Sequence, residues 1–95
     1  MSLARWTVPV DHPALAGHFP GRPIVPGAAL LDRLLSVVEV PCDIASAKFL
    51  SPAGPGETLE FTWQGQAGGA LRFDIGAAGR KVATGQLSPR GPRPP

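Results

Sequence analysis

Pro26-Gly27-Ala28-Ala29-Leu30-Leu31-Asp32-Arg33-Leu34-Leu35-Ser36-Val37-Val38 is the one stretch of this chain with clear helical periodicity, and its surroundings settle the fold class. Leu30, Leu31, Leu34, Leu35, Val37 and Val38 cover most of the circumference of a helix over Ala28 to Val38. Only Asp32, Arg33 and Ser36 are polar, and they share one side. A helix apolar nearly all round is a buried helix. Pro-Gly opens it and Pro41 ends it. Downstream, apolar residues alternate in four strand candidates: Ile44 to Leu50, Thr58 to Gln64, Ala70 to Gly76, and Lys81 to Leu87, where Val82 points outward. Their links, 51–56, 66–69 and 77–80, carry turn chemistry, and short-linked successive strands predict an antiparallel meander. Upstream, Trp6, Val8 and Val10 alternate with polar positions over Ala4 to Val10, but Pro9 confines that strand to an edge or an end. One buried helix beside an antiparallel sheet is an α+β arrangement. So small a sheet must curl around the helix to cover it. One face or edge stays open, which favours pairing with a second copy.

The chain has 95 residues, enough for one domain, read here as 1–87; residues 88–95 hold four prolines and no apolar anchor, and read as a disordered tail. A domain this short buries a modest share of its surface, so oligomerisation is a natural route to a sufficient core. The formal charge is +2. Its excess lies in Arg90 and Arg93, and residues 1–87 balance. With no basic stripe interleaved with aromatics, nucleic acid is not an expected partner. No apolar run approaches membrane-spanning length, and residues 1–6 lack the apolar core of a secretory signal. The single cysteine, Cys42, cannot close an internal disulfide, which suits a reducing cytoplasm, and it reads as a free buried thiol.

Between the first strand and the helix runs a long, stiff, proline- and glycine-rich loop over Asp11 to Pro26, of a length that in small domains commonly carries function. It contains His18, fourteen residues before Asp32. An imidazole, a helix start with free amides and a carboxylate are the parts needed to remove a proton beside a carbonyl and expel a hydroxyl group. His18 is the candidate base, able to work near neutral pH. Asp32 is the candidate acid: on an apolar helix its carboxyl is expected to be desolvated and to hold a proton. The alternative is a solvated helix face shared with Arg33 and Ser36. Gly27 leaves the first helical amides sterically open to an oxyanion, unless that helix end simply faces water. His12, between Asp11 and Pro13, reads as a turn residue. The two His and one Cys are too scattered for a zinc site, and no glycine loop has the strand-loop-helix context of a nucleotide site, so no cofactor is expected.

Gly17-His18-Phe19-Pro20-Gly21-Arg22-Pro23-Ile24-Val25-Pro26-Gly27, followed by Leu30-Leu31-Asp32, resembles the signature of bacterial 3-hydroxyacyl-(acyl carrier protein) dehydratases. Ala47-Lys48-Phe49, Ser51-Pro52 and Pro55-Gly56-Glu57-Thr58-Leu59 are similar to that family's next segment, so the resemblance covers about residues 5 to 87. It implies the hot-dog fold, a central helix wrapped by a curled antiparallel sheet. The implied activity is dehydration of a 3-hydroxyacyl thioester on acyl carrier protein to the trans-2-enoyl form, in fatty-acid or related lipid biosynthesis. By the same resemblance His18 takes the C2 proton, Asp32 assists departure of the C3 hydroxyl, and the Gly27 amide binds the thioester carbonyl. Phe19, Pro26 and Arg22 fall on the substrate-binding side, Arg22 toward the carrier. The histidine and the acid come from different subunits, so a homodimer, a higher oligomer or a heterodimer is implied. The helix departs from the family pattern, with Arg33 and Ser36 where Ala and an acid-orienting Gln are usual. The short turn at Val40-Pro41-Cys42 trims the wall of an acyl tunnel. This compact form resembles small dehydratases of accessory pathways, such as aryl-polyene-type lipid synthesis. A hot-dog acyl thioesterase and a non-catalytic partner in a dehydratase heterodimer are the alternatives.

Overall fold

Every strand candidate is realised, with its ends set by pairing rather than by periodicity. The computed structural model describes residues 1–10 and 24–90. Within them lie β1 (Ser2–Thr7), α1 (Gly27–Val37), β2 (Cys42–Phe49), β3 (Thr58–Gly65), β4 (Leu71–Ala77) and β5 (Arg80–Pro89), with a 3₁₀ turn at Ala67–Gly69. Most of the loop from Asp11 to Pro26, with His12, His18, Phe19 and Arg22, lies outside the described residues.

The strands form one antiparallel sheet in the order β1-β3-β4-β5-β2. The meander expectation therefore holds for β3-β4-β5 and fails for β2, which pairs with β5 and not with β3. The cause lies in the connection between β2 and β3. Its backbone is committed elsewhere: Val25 N–H donates to the Ala53 carbonyl at 2.7 Å, and Gly56 N–H to the Val8 carbonyl at 2.8 Å. That connection cannot act as a hairpin, so β2 is carried to the far edge. β1 starts earlier than its apolar alternation suggests because Ser2 and Leu3 pair with Trp63 and Thr62. It stops at Thr7, since Pro9 has no N–H to offer the ladder.

β5 runs past Leu87, where periodicity ends, because Ser88 and Pro89 pair with Asp43 and Cys42. Arg90 then donates its backbone N–H to Pro41 at 2.7 Å and forms an ion pair with Asp43 at 3.0 Å. These residues belong to the sheet and not to a tail; residues 91–95 lie outside the described residues. Val82, read as outward, is fully buried. A register shift leaves it without a partner on β4, between the Ile75–Ala83 and Gly76–Lys81 pairs, and a bulge of this kind re-aims a side chain. The β4–β5 hairpin turns on Ala78 and Gly79, both at positive φ (50° and 79°), as a two-residue turn matched to strand twist requires.

The inner face of the sheet supplies Leu59, Phe61, Phe73, Ile75 and Leu87, all fully buried. Gly85 is the thin point of this face: a Cβ there would meet the Ser46 backbone and the Phe73 ring. From the helix, Leu30, Leu34 and Val38, spaced four apart, complete the core. Helix burial is one-sided, contrary to the reading of a helix buried all round. Asp32, Arg33 and Ser36 are exposed and Leu31, Leu35 and Val37 only part-buried, because one five-stranded sheet covers one side of a helix.

Candidate functional site

Two grooves flank the helix, and each holds one of the residues singled out in the sequence. The first opens at the helix start. Pro26 is the N-cap, with φ −59° and ψ 146°, and its carbonyl accepts the amides of Ala29 (3.0 Å) and Leu30 (3.2 Å). The amides of Gly27 and Ala28 precede the first intrahelical bond and have no acceptor among the described residues, so they stand as donors at the positive end of the helix. Gly27 lies on a cleft of about 560 Å³, lined largely by apolar side chains: Ile24, Pro26, Leu30, Phe49 and Pro52. Phe49, at the end of β2, lies directly on the glycine. A Cβ at Gly27 would stand 2.6 Å from its ring Cζ, which explains why this helix starts on a residue without a side chain. Sequence reading missed Phe49 as a cleft wall. The signal was its strand register, since Phe49 pairs opposite Ala83 on the helix-facing side of the sheet.

The second groove, about 230 Å³, is lined by Trp6, Ala29, Asp32, Arg33 and Ser36. Asp32 is exposed, so the desolvation expected of it is not supplied by the described residues. Its polar neighbours are turned away from it. The Arg33 guanidinium sits over the Trp6 ring, 4.9 Å from its centroid. The Ser36 hydroxyl donates to the Arg33 carbonyl at 2.6 Å. Among the described residues no side chain pairs with the Asp32 carboxylate. The described residues thus present Gly27 in one groove and Asp32 in another.

Cys42 is free and buried, its thiol 3.3 Å from the Val40 carbonyl, and burial pushes its pKa above the usual thiol value. It is an inert core group, as its sequence context indicated.

A family model described as ApeI dehydratase (ApeI-like) matches residues 2–86. The chain belongs to the ApeI-like dehydratase family. By reaction type this ApeI-like protein is therefore a lyase. It is 31% identical over 106 residues to the 3-hydroxyacyl-[acyl-carrier-protein] dehydratase FabZ of Chlamydia trachomatis serovar L2, covering 90% of this chain and 69% of that protein. With FabZ of Thermomicrobium roseum it shares 31% identity over 99 residues, covering 88% of this chain and 64% of that protein. Among solved structures, the dehydratase heterocomplex ApeI:P of Xenorhabdus doucetiae superposes with a TM-score of 0.76 at 21% identity, over 90% of this chain and 83% of that one. That likeness establishes the hot-dog fold for the ApeI-like chain. No helix among its described residues is long and apolar enough to cross a membrane.

Proposed function

We propose that this protein dehydrates a 3-hydroxyacyl thioester carried on acyl carrier protein to the trans-2-enoyl thioester. The observation that carries the reading is the helix start: the Gly27 amide at an apolar cleft, in a chain of the ApeI-like dehydratase family. In the reaction His18 removes the C2 proton, and the electron pair moves toward the thioester carbonyl. The Gly27 amide, strengthened by the helix dipole, holds the oxygen as it gains charge. As the double bond forms between C2 and C3, the C3–O bond breaks and Asp32 gives the leaving hydroxyl its proton, so that water departs.

The separation of Gly27 and Asp32 into two grooves supports a composite site, with His18 and Gly27 from one copy and Asp32 from the other. The mixing test is quantitative. Chains with His18→Ala and with Asp32→Asn are each expected to be inactive. If they exchange freely, half of the dimers are mixed and each mixed dimer has one intact site, so about a quarter of the sites recover. Mass spectrometry of 3-hydroxyacyl carrier-protein substrates should show loss of water without release of free thiol. Free carrier thiol would instead indicate a thioesterase.

A second reading rests on Arg33 and Ser36. Both are turned toward other groups, and among the described residues none orients Asp32. That favours a partner role in a heterodimer with an active dehydratase. Inactivity of the purified chain alone, with stimulation of a co-expressed homologue, would select it.

A further inference from the structure

We infer that the Arg80–Glu57 ion pair is a positioning device for the helix-start amides, acting through the Ser51–Gly56 connection; this rests on the proposed oxyanion role of Gly27. Arg80 leaves the tight Ala78-Gly79 hairpin and reaches across to that connection. Its guanidinium contacts both Glu57 carboxylate oxygens, at 2.7 and 2.8 Å, and also donates to the Pro52 carbonyl at 2.9 Å. Glu57 in turn accepts the Gly54 amide at 2.7 Å. The ion pair therefore pins the chain on both sides of Ala53. Ala53 is itself buried, at 1% exposure, and its carbonyl receives the Val25 amide. Val25 is buried too and leads directly into Pro26 and the open amides of Gly27 and Ala28. From the guanidinium to the oxyanion donors the path runs through the Pro52 carbonyl, buried Ala53, its hydrogen bond to the Val25 amide, and buried Val25 into Pro26.

Two further observations fit this role. The Gly54 amide, together with Arg80, holds the Glu57 carboxyl below the usual glutamate range, so the ion pair survives to lower pH than an ordinary glutamate would allow. The pair also borders the cleft without entering it: Pro52 and Ala53 line the cleft, while Arg80 and Glu57 do not. Surface ion pairs usually contribute little to stability. This one is set apart because its guanidinium also holds a main-chain carbonyl and its carboxylate a main-chain amide.

Arg80→Ala should lower kcat on a 3-hydroxyacyl pantetheine thioester by about 10- to 100-fold, the scale for displacing an oxyanion donor, with KM changed less than about twofold. In ¹⁵N-labelled protein the Gly27 and Ala28 amide resonances should move. Arg80→Lys, whose ammonium can stand in for the one guanidinium nitrogen that contacts Glu57 and Pro52, should recover part of the loss. Glu57→Gln, which retains an acceptor for Gly54, should fall between wild type and Arg80→Ala. Arg5→Ala, which breaks the exposed Arg5–Glu60 pair (3.1 Å) on the outer face, should change neither kcat nor those resonances. The inference is overturned if Arg80→Ala lowers only the melting temperature, with kcat and the Gly27 resonance unchanged. It is equally overturned if Arg80→Ala fails to fold and Glu57→Gln retains full kcat. If the amides move in Arg80→Ala but wild-type protein dehydrates no 3-hydroxyacyl thioester, the positioning stands and the functional reading fails.

Discussion

Gly27→Ala, alone and in a Phe49→Ala background, tests the geometry at the helix start through stability. In wild type the new methyl would stand 2.6, 2.9 and 3.0 Å from Cζ, Cε1 and Cε2 of Phe49. Those are the outer atoms of a ring that is 50% exposed, so the ring can swing away and the backbone need not move. The cost is then the lost burial. A fully buried Phe side chain contributes about 1.5–3 kcal/mol, so the buried half of this one is worth about 1 kcal/mol. For a domain of this size that lowers the melting temperature by about 4–8 °C. Without the Phe49 ring the clash vanishes, and Gly27 has no left-handed backbone to preserve. In Phe49→Ala the same Gly27→Ala change should therefore stabilise, by about 0.4–1 kcal/mol, through reduced freedom of the unfolded chain. The effect reverses sign, with a coupling of about 1.5 kcal/mol between the two sites. Urea unfolding of the four proteins at one fixed protein concentration measures it. Additive changes, with Gly27→Ala equally destabilising in both backgrounds, would refute the contact and with it the account of why a glycine stands there.

Three further outcomes are expected. Arg22→Glu should raise KM for carrier-bound substrate in a salt-sensitive way and leave turnover of a short pantetheine thioester nearly unchanged, as steady-state kinetics at two ionic strengths would show; the residue precedes the helix start and an acidic carrier would meet a basic group there. Truncation after Leu87 should cost about 1–3 kcal/mol in thermal unfolding, because it removes the last two β5–β2 pairs and the Arg90 bonds to Pro41, Cys42 and Asp43. Glu57 should contribute to acid unfolding. Its folded-state pKa is depressed, so its stabilisation is complete above the ordinary glutamate value, about 4.3, and declines as pH falls below that toward the folded value. The difference in melting temperature between wild type and Glu57→Gln should shrink over that acid range, and a constant difference would contradict the assignment.

Much of this protein is written in local pattern. Leu59, Phe61 and Trp63, and Phe73 and Ile75, alternate as strands must when one face is covered, and the Leu30, Leu34, Val38 stripe repeats at helical spacing, so the α+β class follows from periodicity alone. Gly27 and Asp32 were legible as candidates because a glycine at a helix start and a lone acid on an apolar helix are locally unusual. Local pattern carries no information about which strands become neighbours. β2 lies beside β5 because the Ser51–Gly56 backbone bonds to Val8 and Val25, contacts distant in sequence. The Phe49 ring on Gly27, the buried turn of Val82 and the reach of Arg80 to Glu57 and Pro52 arise the same way, each from register or from a bulge that no single segment encodes. Local pattern thus sets the elements and the kinds of chemical group available. Which of those groups meet is settled in three dimensions, because hydrogen-bond pairing and close packing are satisfied between segments far apart in the chain.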